Sequence, residues 1–578
     1  MKATRPVPMN AGAKLGDLDK VSGFAYRIFG KYAVRIARGT PWLKEDILRS
    51  NMRITPEGLV ALSFFTATLA TLGWIAELFV AIATANSTLL LAGSGLAAAP
   101  ALVFLLTMRS PRLSQDSRSA SLDSELPFMI GFIVVLAGGG VTPIAAIRRI
   151  ARMSDLFPSS AKEARRILLD IDVFGLDPIS ALEKAAKYNP NKMFSEFLYG
   201  YTTIIKTGGD LSSFLNNKLE EIYQAREQKV KQSSDTIATL AEGYVTITSV
   251  LGISLFVLYQ AQSIVSRSTG GLQGVELFGL VGVPALSGLF LFMLDSVQAR
   301  LPFVDYKPYK AFAYTAALGP IIYLLPLPLS LFMHVSVALM STVVYPTIVA
   351  ARQGGERRAL EARLPDFIRD ISEGRKIGLS PEATVQGLAD KNYGRLSKHV
   401  KSMSSQLSWG VSLHQVVSTF VKGVTSWVTR EVGMLLMEVV DVGGGTVKSF
   451  TDMANFTRKM NDLEQEKKSS LRPYIFITYF SSIMVMVTTL IMVYFVASPI
   501  KLNVGGNLRV ETMAPAIDVG TINILLSIAA VESWAIGLVA GKMGEGSTAD
   551  GFKHALILLL VGVISVYVAE VFLKVKLQ

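Results

Sequence analysis

Long runs of apolar residues constrain this chain more than any other feature of its sequence. An α-helix needs about 20 mostly apolar residues to cross the roughly 30 Å hydrocarbon core of a bilayer. Half of the 578 residues are hydrophobic and only 18% are charged, which is the balance of a membrane protein. Because backbone polar groups must be satisfied internally in lipid, the runs predict a polytopic all-α membrane protein with about nine transmembrane helices. They cover residues 58–83, 89–108, 243–265, 277–294, 311–327, 329–350, 474–496, 521–540 and 555–573.

Charges outside the apolar segments predict how the chain crosses the membrane. Residues 1–57 carry 11 Lys and Arg against 5 Asp and Glu, and lack the short apolar core of a secretory signal. Since Lys and Arg accumulate in cytoplasmic loops, this segment is expected inside the cell. The expected organisation is a basic cytoplasmic segment 1–57, spans 1–2 within 58–108, a cytoplasmic block 109–235, spans 3–6 within 236–350, a second cytoplasmic block 351–472, and spans 7–9 within 473–578.

The two cytoplasmic blocks are predicted to be duplicates of one helical unit. Their apolar residues recur at helical spacing, so each block is expected to be an antiparallel helical bundle. Each contains a Leu-Pro pair, a proline sixteen residues later, an aromatic-glycine pair and, 33 residues further, a glycine pair. These are Leu126-Pro127 and Leu364-Pro365, Pro143 and Pro381, Phe174-Gly175 and Trp409-Gly410, and Gly208-Gly209 and Gly443-Gly444. A charged helix then leads straight into the next apolar segment, and repetition at fixed spacing indicates a duplicated domain.

The glycine pairs have two possible roles. A glycine-rich helix start binds phosphate or carboxylate groups through its backbone N–H groups. The favoured alternative is a tight turn between helices, in which glycine permits a positive φ. Asp210, directly after the first pair, is expected to cap the next helix. A third glycine, Gly445, leaves two registers open for the second pair, one residue apart.

These motifs, in this order, resemble the type II secretion F domain, present twice. Two such domains with membrane helices between them are similar to archaeal membrane platform proteins of the archaellum and of archaeal type IV pili. The resemblance implies a multi-pass platform in the cell membrane, without catalytic activity and with cytoplasmic F domains. It also implies that the platform docks a hexameric secretion-type ATPase and passes its stroke to pilin or archaellin subunits. A hexameric partner and a twofold repeat make a homodimer plausible. The sequence departs from the family in having Lys206 where an acid is expected, and a glycine for the hydroxyl residue of the second pair.

Basic clusters within the two blocks are candidate docking points for an acidic rim on the ATPase. The alternative is an ordinary solvated helix face. Beside the membrane, Arg352, Arg357 and Arg358 are already explained by the positive-inside rule and by contact with anionic lipid. The docking candidates are Arg148, Arg149, Arg152, Arg165, Arg166, Lys398 and Lys401.

Other function classes find little support in the sequence. The absence of cysteine excludes disulfides and cysteine-ligated metals, and the four histidines are not at ligand spacing, so no cofactor or metal is expected. Residues 537–543 have a glycine spacing too short for a nucleotide-binding loop, and no basic and aromatic residues interleave as a nucleic-acid groove requires. A transporter or permease remains the alternative, because Glu77 and Glu532 lie in or near apolar helices. Transporters, however, place their repeats inside the membrane. A membrane-bound enzyme lacks a catalytic cluster.

Overall fold

The computed structural model describes residues 17–84, 97–266, 278–298, 306–441, 445–497, 501–503, 509–511 and 519–573. The described residues are almost entirely helical, which confirms the all-α prediction. The first helices are α1 Asp17–Gly39, α2 Pro41–Ser50, α3 Pro56–Ala83, α4 Ala99–Gly138, α5 Pro143–Ile150, α6 Pro158–Asp172, α7 Pro178–Tyr188, α8 Lys192–Thr207 and α9 Leu211–Ser266. A short π-helix, Phe278–Gly282, leads into α10 Val283–Val297.

The second half of the described chain continues the helical pattern. Its helices are α11 Lys307–Ala316, α12 Leu318–Leu324, α13 Leu331–Lys376, α14 Pro381–Gly387, α15 Leu396–Ser408, α16 Leu413–Gly423, α17 Trp427–Asp441, α18 Val447–Ala497, α19 Val519–Glu545 and α20 Thr548–Leu573. The exception is an antiparallel pair of three-residue strands, β1 Lys501–Asn503 and β2 Arg509–Glu511. The chain groups into two compact units, one of residues 1–130 and 147–218, the other of residues 131–146 and 219–578.

Seven helices of the described chain are long and apolar enough to cross a membrane. They are Pro56–Ala83, Ala99–Gly138, Gly279–Val297, Leu331–Lys376, Val447–Ile491, Ile522–Glu545 and Thr548–Val571. The predicted count of nine is therefore not confirmed. Residues 311–327 form the two short helices α11 and α12 instead of one span, and 243–265 form the end of α9. Residues 89–96 lie outside the described residues, so only the end of the second predicted span is seen, in α4.

Helix α4 contains two different apolar surfaces in one 40-residue helix. Near its start, Leu102, Leu105 and Leu106 are exposed, as side chains facing lipid must be. Further along, residues 126–136 include buried side chains such as Phe132 and Ile133. The second surface therefore belongs to the core of a helical bundle, although its composition alone resembles that of a span.

The two predicted repeats have the same helix order. In the first, the end of α4 is followed by α5, α6, α7, α8 and α9; in the second, the end of α13 is followed by α14, α15, α16, α17 and α18. Both repeats end in an exceptionally long helix, 56 residues in α9 and 51 residues in α18. Each long helix contains a predicted apolar span, so a repeat and a membrane segment share one continuous helix.

Small residues bring α19 and α20 into close contact. A Cβ atom added to Gly541 would lie 2.1 Å from the Cα atom of Gly551, and one added to Gly537 would lie 2.3 Å from the Cα atom of Ala555. Residues 537–543, whose glycines resemble a nucleotide-binding loop, thus form a small-residue helix contact of the type common in membranes. Around it, α13, α18, α19 and α20 share a core that includes Phe332, Met486, Leu526 and Leu559.

Candidate functional site

The glycine motifs of the second repeat lie at one end of its bundle. Arg375, near the end of α13, donates from Nη1 to the Leu379 carbonyl at 2.7 Å and from Nη2 to the Gly445 carbonyl at 2.9 Å. His414 Nε2 lies 3.7 Å from Asp441 Oδ2, which brings the start of α16 to the end of α17. The turns 377–380 and 409–412 and residues 445–446 therefore form one face, which we call the distal face of the second repeat.

The distal face is far from the apolar part of the chain. Helix α13 continues from residue 350 to Lys376 beyond its predicted span, which is roughly 40 Å at the rise of an α-helix. Gly378 and Gly410 have φ values of 89° and 79°, so both turns require a conformation that glycine adopts at little cost. Pro381 starts α14, and Ser380 Oγ accepts from the Ala383 N–H at 3.1 Å. Gly443 and Gly444 lie outside the described residues.

The first repeat has turns of the same chemistry. Gly175 and Gly208 have φ values of 67° and 71°, and Gly209 donates its N–H to the Ile204 carbonyl at 3.0 Å. Asp210 Oδ1 accepts from the Ser212 and Ser213 N–H groups, so it caps α9. Pro143 begins α5. The turn before α7 and the turn before α9 are neighbours, because Lys206 Nζ lies 2.6 Å from Glu183 Oε1. These two turns form the distal face of the first repeat.

The structure also settles which register relates the last turns. Thr446 Oγ1 accepts from the Ser449 N–H at 3.1 Å and so caps α18 as Asp210 caps α9. Thr446 lies 236 residues after Asp210, whereas Gly410 lies 235 residues after Gly175. The second repeat therefore has one more residue than the first between its aromatic-glycine pair and this cap. Gly208 and Gly445 precede the two caps and have φ values of 71° and 68°.

The arginines predicted as docking points differ in their surroundings. Arg148 forms a two-pronged ion pair with Asp172, at 2.8 and 2.9 Å, with both side chains about half exposed. This pair lowers the pKa of Asp172 and raises that of Arg148. Arg152 is exposed, and Arg149 is partly buried. Arg148 and Arg152 are thus at the surface, where a partner can contact them.

Arg165 and Arg166 are bound within the first repeat. Arg165 Nε donates to the Ala151 carbonyl at 2.8 Å, although the side chain is otherwise exposed. Arg166 pairs with Glu163 at 3.0 Å, and burial lowers the pKa of its guanidinium. Arg166 therefore has a structural partner inside its own bundle.

Glu163 is the centre of a buried polar network that the sequence analysis missed. Its carboxylate accepts two hydrogen bonds from Arg118, at 2.8 and 2.6 Å, and one from Asn189 Nδ2 at 3.1 Å. A second buried carboxylate, Glu125, accepts from the Ser159 and Ser160 N–H groups at the start of α6, where the helix dipole favours negative charge. Only their burial, which the structure reveals, distinguishes Glu163 and Glu125 from the other carboxylates of the first repeat.

Lys398 and Lys401 are exposed on α15, and neither has an ion pair within the described chain. His399, between them, is partly buried, and its burial lowers the pKa of the imidazole. Its ring packs edge-on against Phe420 at 5.3 Å between centroids. The two lysines therefore remain available to a partner, whereas His399 is part of the packing.

A carboxyl group of the second repeat is buried without a hydrogen-bond partner among the described residues. Glu431, on α17, is 1% exposed, and neither oxygen has a hydrogen-bond partner among the described residues. Burial raises the pKa of Glu431 well above its usual value. Burial also raises the pKa of Tyr223 on α9, and the nearby Glu431 carboxyl adds to this rise. Glu431 is therefore a buried carboxyl group near Tyr223 of α9.

Helices α9 and α18, which leave the two repeats, contact each other through ion pairs. Lys459 Nζ lies 3.3 Å from Glu220 Oε1, and Lys231 Nζ lies 3.8 Å from Glu466 Oε1. Lys459 also lies over the Tyr223 ring, 5.7 Å from its centroid. The two helices therefore lie side by side over these residues.

A charged cavity of about 400 Å³ lies where α18 and α19 meet the second repeat. Lys542 on α19 pairs with Asp295 on α10 at 2.6 Å, on the wall of this cavity. The other charged groups of the wall are Arg357, Glu361, Glu464, Lys467, Lys468, Glu545 and Asp550. Glu532 lies deeper in α19, is 4% exposed, and its Oε1 has no partner within the described residues. No group of His, Asp and Glu in the described chain has the arrangement of a metal site.

Comparison with known proteins agrees with this architecture. Residues 129–259 and 367–494 each match the family model of type II secretion system protein F. Each match begins in the helix that opens a repeat and ends in the long helix that closes it. The chain is therefore a polytopic membrane protein that carries the type II secretion F domain twice. This confirms the resemblance drawn from the Leu-Pro and glycine motifs.

A similar protein occurs in Methanocaldococcus jannaschii. It is described as uncharacterized and is 22% identical over 519 residues, which cover 80% of this chain and 82% of the relative. The similarity thus extends over the membrane helices as well as the F domains. No solved structure matches the chain.

Proposed function

We propose that this protein is the membrane platform of an archaeal type IV pilus-like filament machine, either an archaellum or a pilus. The observation that supports it best is the continuity of α9 and α18, each of which joins one F domain to an apolar span without interruption. Because each helix is continuous from its F domain into its span, we expect a displacement of an F domain to be passed into the membrane; in α18 this path includes Pro473, a point at which the helix can bend.

In this proposal the F domains face the cytoplasm and dock a hexameric secretion-type ATPase. The ion pairs between α9 and α18 let the two F domains move in a coordinated way, and the membrane helices hold the base of the filament. Pilin or archaellin subunits are then the cargo, drawn from the membrane as the ATPase changes conformation. Two platform chains, as a homodimer, fit under a hexamer. No catalysis by the platform itself is required.

Copurification tests the docking half of the proposal. The full chain in detergent is expected to retain the secretion-type ATPase encoded by the same organism, and deletion of the gene is expected to abolish surface filaments. Changing Arg148, Arg149 and Arg152 together to Glu is expected to weaken ATPase binding without unfolding the F domain. Filaments that persist in the deletion strain would contradict the proposal.

A transporter is the alternative, and Glu532 is the observation in its favour because ionisable groups inside membranes are usually functional. The duplication, however, lies in the F domains and not in the spans. Solute uptake into liposomes that contain only this chain would favour the transporter.

A further inference from the structure

We propose that Phe174 and Trp409 are equivalent aromatic anchors for a soluble homo-oligomeric protein that offers the same apolar pocket on several subunits. The inference rests on the proposed function, in which this partner is the secretion-type ATPase. It extends that function by naming the side chains that make the contact and the symmetry that the contact requires.

The two side chains occupy the same position in the duplicated domain. Each lies in the turn after a helix, directly before a glycine with positive φ, Gly175 or Gly410. Phe174 is 67% exposed and Trp409 is 82% exposed. One exposed aromatic residue is ordinary in any protein. Exposure of a large aromatic ring at the same turn in both copies is not explained by packing in either.

Further apolar side chains surround each anchor on its distal face. Val173 is 56% exposed beside Phe174. In the second repeat, Ile377 and Leu379 are 77% and 43% exposed in the turn next to that of Trp409. A tryptophan or phenylalanine within an exposed apolar patch is the composition found at the centre of protein interfaces.

The Phe174 ring is already held in position. Lys184 Nζ lies 5.9 Å from the ring centroid and is itself paired with Asp170 at 2.7 Å. Asp172, two residues before Phe174, forms its ion pair with Arg148 at the same turn. A side chain that is fixed before binding loses less conformational entropy on binding, which favours its use as an anchor.

Lipid is excluded as the occupant by distance. The distal face of the second repeat lies roughly 40 Å along α13 beyond the predicted span. In the first repeat, α9 begins at the distal face and continues for about 30 residues, roughly 45 Å, before the stretch 243–265. The headgroup layer on each side of the hydrocarbon core is only about 5–8 Å thick. The partner is therefore a soluble protein.

The repetition of the anchor determines the symmetry of that partner. A monomer with a single pocket would use one anchor, and the other would gain nothing from exposure. A homo-oligomer presents the same pocket on each of its subunits, so two equivalent anchors each have an identical pocket to bind.

The test uses the full chain in lipid nanodiscs and the purified secretion-type ATPase of the same organism, with affinity measured by biolayer interferometry. The variants are Phe174→Ala, Trp409→Ala and the double variant. Tyr199→Ala is the matched control, because Tyr199 is an aromatic residue of the first F domain that is 43% exposed on α8 and away from the turns. Circular dichroism melting of each variant verifies that it is folded.

Each single variant is expected to bind about tenfold more weakly, and the double variant about a hundredfold more weakly, as for interface hot spots. Tyr199→Ala is expected to bind within about twofold of wild type. Two single variants that both bind like wild type would overturn the inference and leave the proposed function intact, since wild-type binding would still be measured. Weakening by only one of the two would overturn the equivalence of the anchors. A wild-type chain that does not bind the ATPase would overturn the proposed function and this inference with it.

Discussion

In the first F domain the buried carboxylate Glu163 is held by Arg118, Arg166 and Asn189, whereas in the second the buried carboxyl Glu431 has no hydrogen-bond partner in the described chain. Neither buried carboxyl group has an equivalent buried carboxyl group in the other repeat. Glu196 occupies the position of Glu431 in the first repeat, on the helix equivalent to α17, and it lies at the surface near Lys192 and Lys218. Lys398 lies 235 residues after Glu163, the spacing that also relates Gly410 to Gly175, and it is exposed in the second repeat.

This difference shows which parts of the fold are shared and which are specific to one copy. The helix order and the glycine turns are the same in both, because they depend on local chemistry. The buried polar groups differ, because a charge is tolerated inside only where its own neighbours neutralise it. The four predictions below test this difference, from the largest expected effect to the smallest.

Removing the charge of Glu163 is expected to have the largest effect. Glu163→Gln leaves Arg118 and Arg166 without a carboxylate in a mostly buried site, and breaking such a pair costs about 3–5 kcal/mol. The free energy of unfolding of the first F domain, measured by hydrogen exchange of α6, is expected to fall by that amount. Lys398→Gln, at the equivalent position of the second F domain, is expected to change the free energy of unfolding of that domain by less than about 0.5 kcal/mol. A similar, small loss of unfolding free energy in both variants would contradict the claim that only the first repeat depends on a buried ion pair at this position.

Gly200 is expected to tolerate substitution poorly. A Cβ atom added there would lie 2.6 Å from the Phe214 ring, between α8 and α9. Gly200→Ala is therefore expected to cost about 1–3 kcal/mol through overpacking. Gly423→Ala in the second repeat, where no atom lies within 4 Å of the added Cβ, is the control and is expected to be neutral or slightly stabilising. Thermal melting of both variants measures the difference, and equal melting temperatures would contradict it.

Glu431 is expected to make stability depend on pH. Its pKa is raised in the folded state, so the folded chain binds a proton that the unfolded chain releases above about pH 4.5. Stability is lost as the pH rises above that value. Glu431→Gln removes this loss, so it is expected to raise stability at pH 7 by about 1–2 kcal/mol and to have little effect near pH 4.

Glu196→Gln provides the control for that experiment. Glu196 is exposed in an equivalent helix, so the variant is expected to show no such pH-dependent gain. The measurement is the melting temperature of each variant between pH 4 and pH 8. A gain at pH 7 that is equal for the two positions would show that burial of Glu431 is not its cause.

The Arg148–Asp172 pair is expected to have the smallest effect. Both side chains are about half exposed, and such pairs contribute at most about 0.5–1 kcal/mol. The pKa of Asp172 is lowered, so its contribution is present above about pH 4 and lost as the pH falls through the folded-state value. Asp172→Asn is expected to remove it, and 1 M salt is expected to make the melting temperatures of variant and wild type converge. A large, salt-independent loss would place this pair among the buried networks.

Much of the fold could be predicted from sequence because its signals are local. The proline at the start of α14, the cap of α9 by Asp210 and the positive φ of Gly410 each depend on a few adjacent residues. The same holds for the long apolar runs. The number of spans was less accessible, because the run 311–327 has the composition of a span but forms the two short helices α11 and α12.

The candidate site was harder to predict because its important contacts join distant residues. Arg118 and Glu163 are 45 residues apart, and nothing in the sequence distinguishes Arg166, which is bound in the bundle, from Arg152, which is exposed. The spacing of Gly537 and Gly541 excluded a nucleotide-binding loop, but only the structure shows that these glycines pack against α20. Glu196 and Glu431 hold the same repeat position, yet only the packing of α9 against the second repeat reveals which one is buried.

Cysteine accessibility in whole cells tests the central claim most directly, because the native chain has no cysteine. Single cysteines would be placed at Lys162 in the first F domain, at Lys398 in the second, and at Lys501 between the predicted spans 474–496 and 521–540, a segment expected outside because span 474–496 follows a cytoplasmic block. Each would be treated with a membrane-impermeant maleimide. The account predicts that Lys162→Cys and Lys398→Cys are labelled only in inverted membrane vesicles, and Lys501→Cys only in intact cells. Labelling of one F domain in intact cells and of the other in inverted vesicles would contradict it, because the two domains could not then serve one cytoplasmic partner.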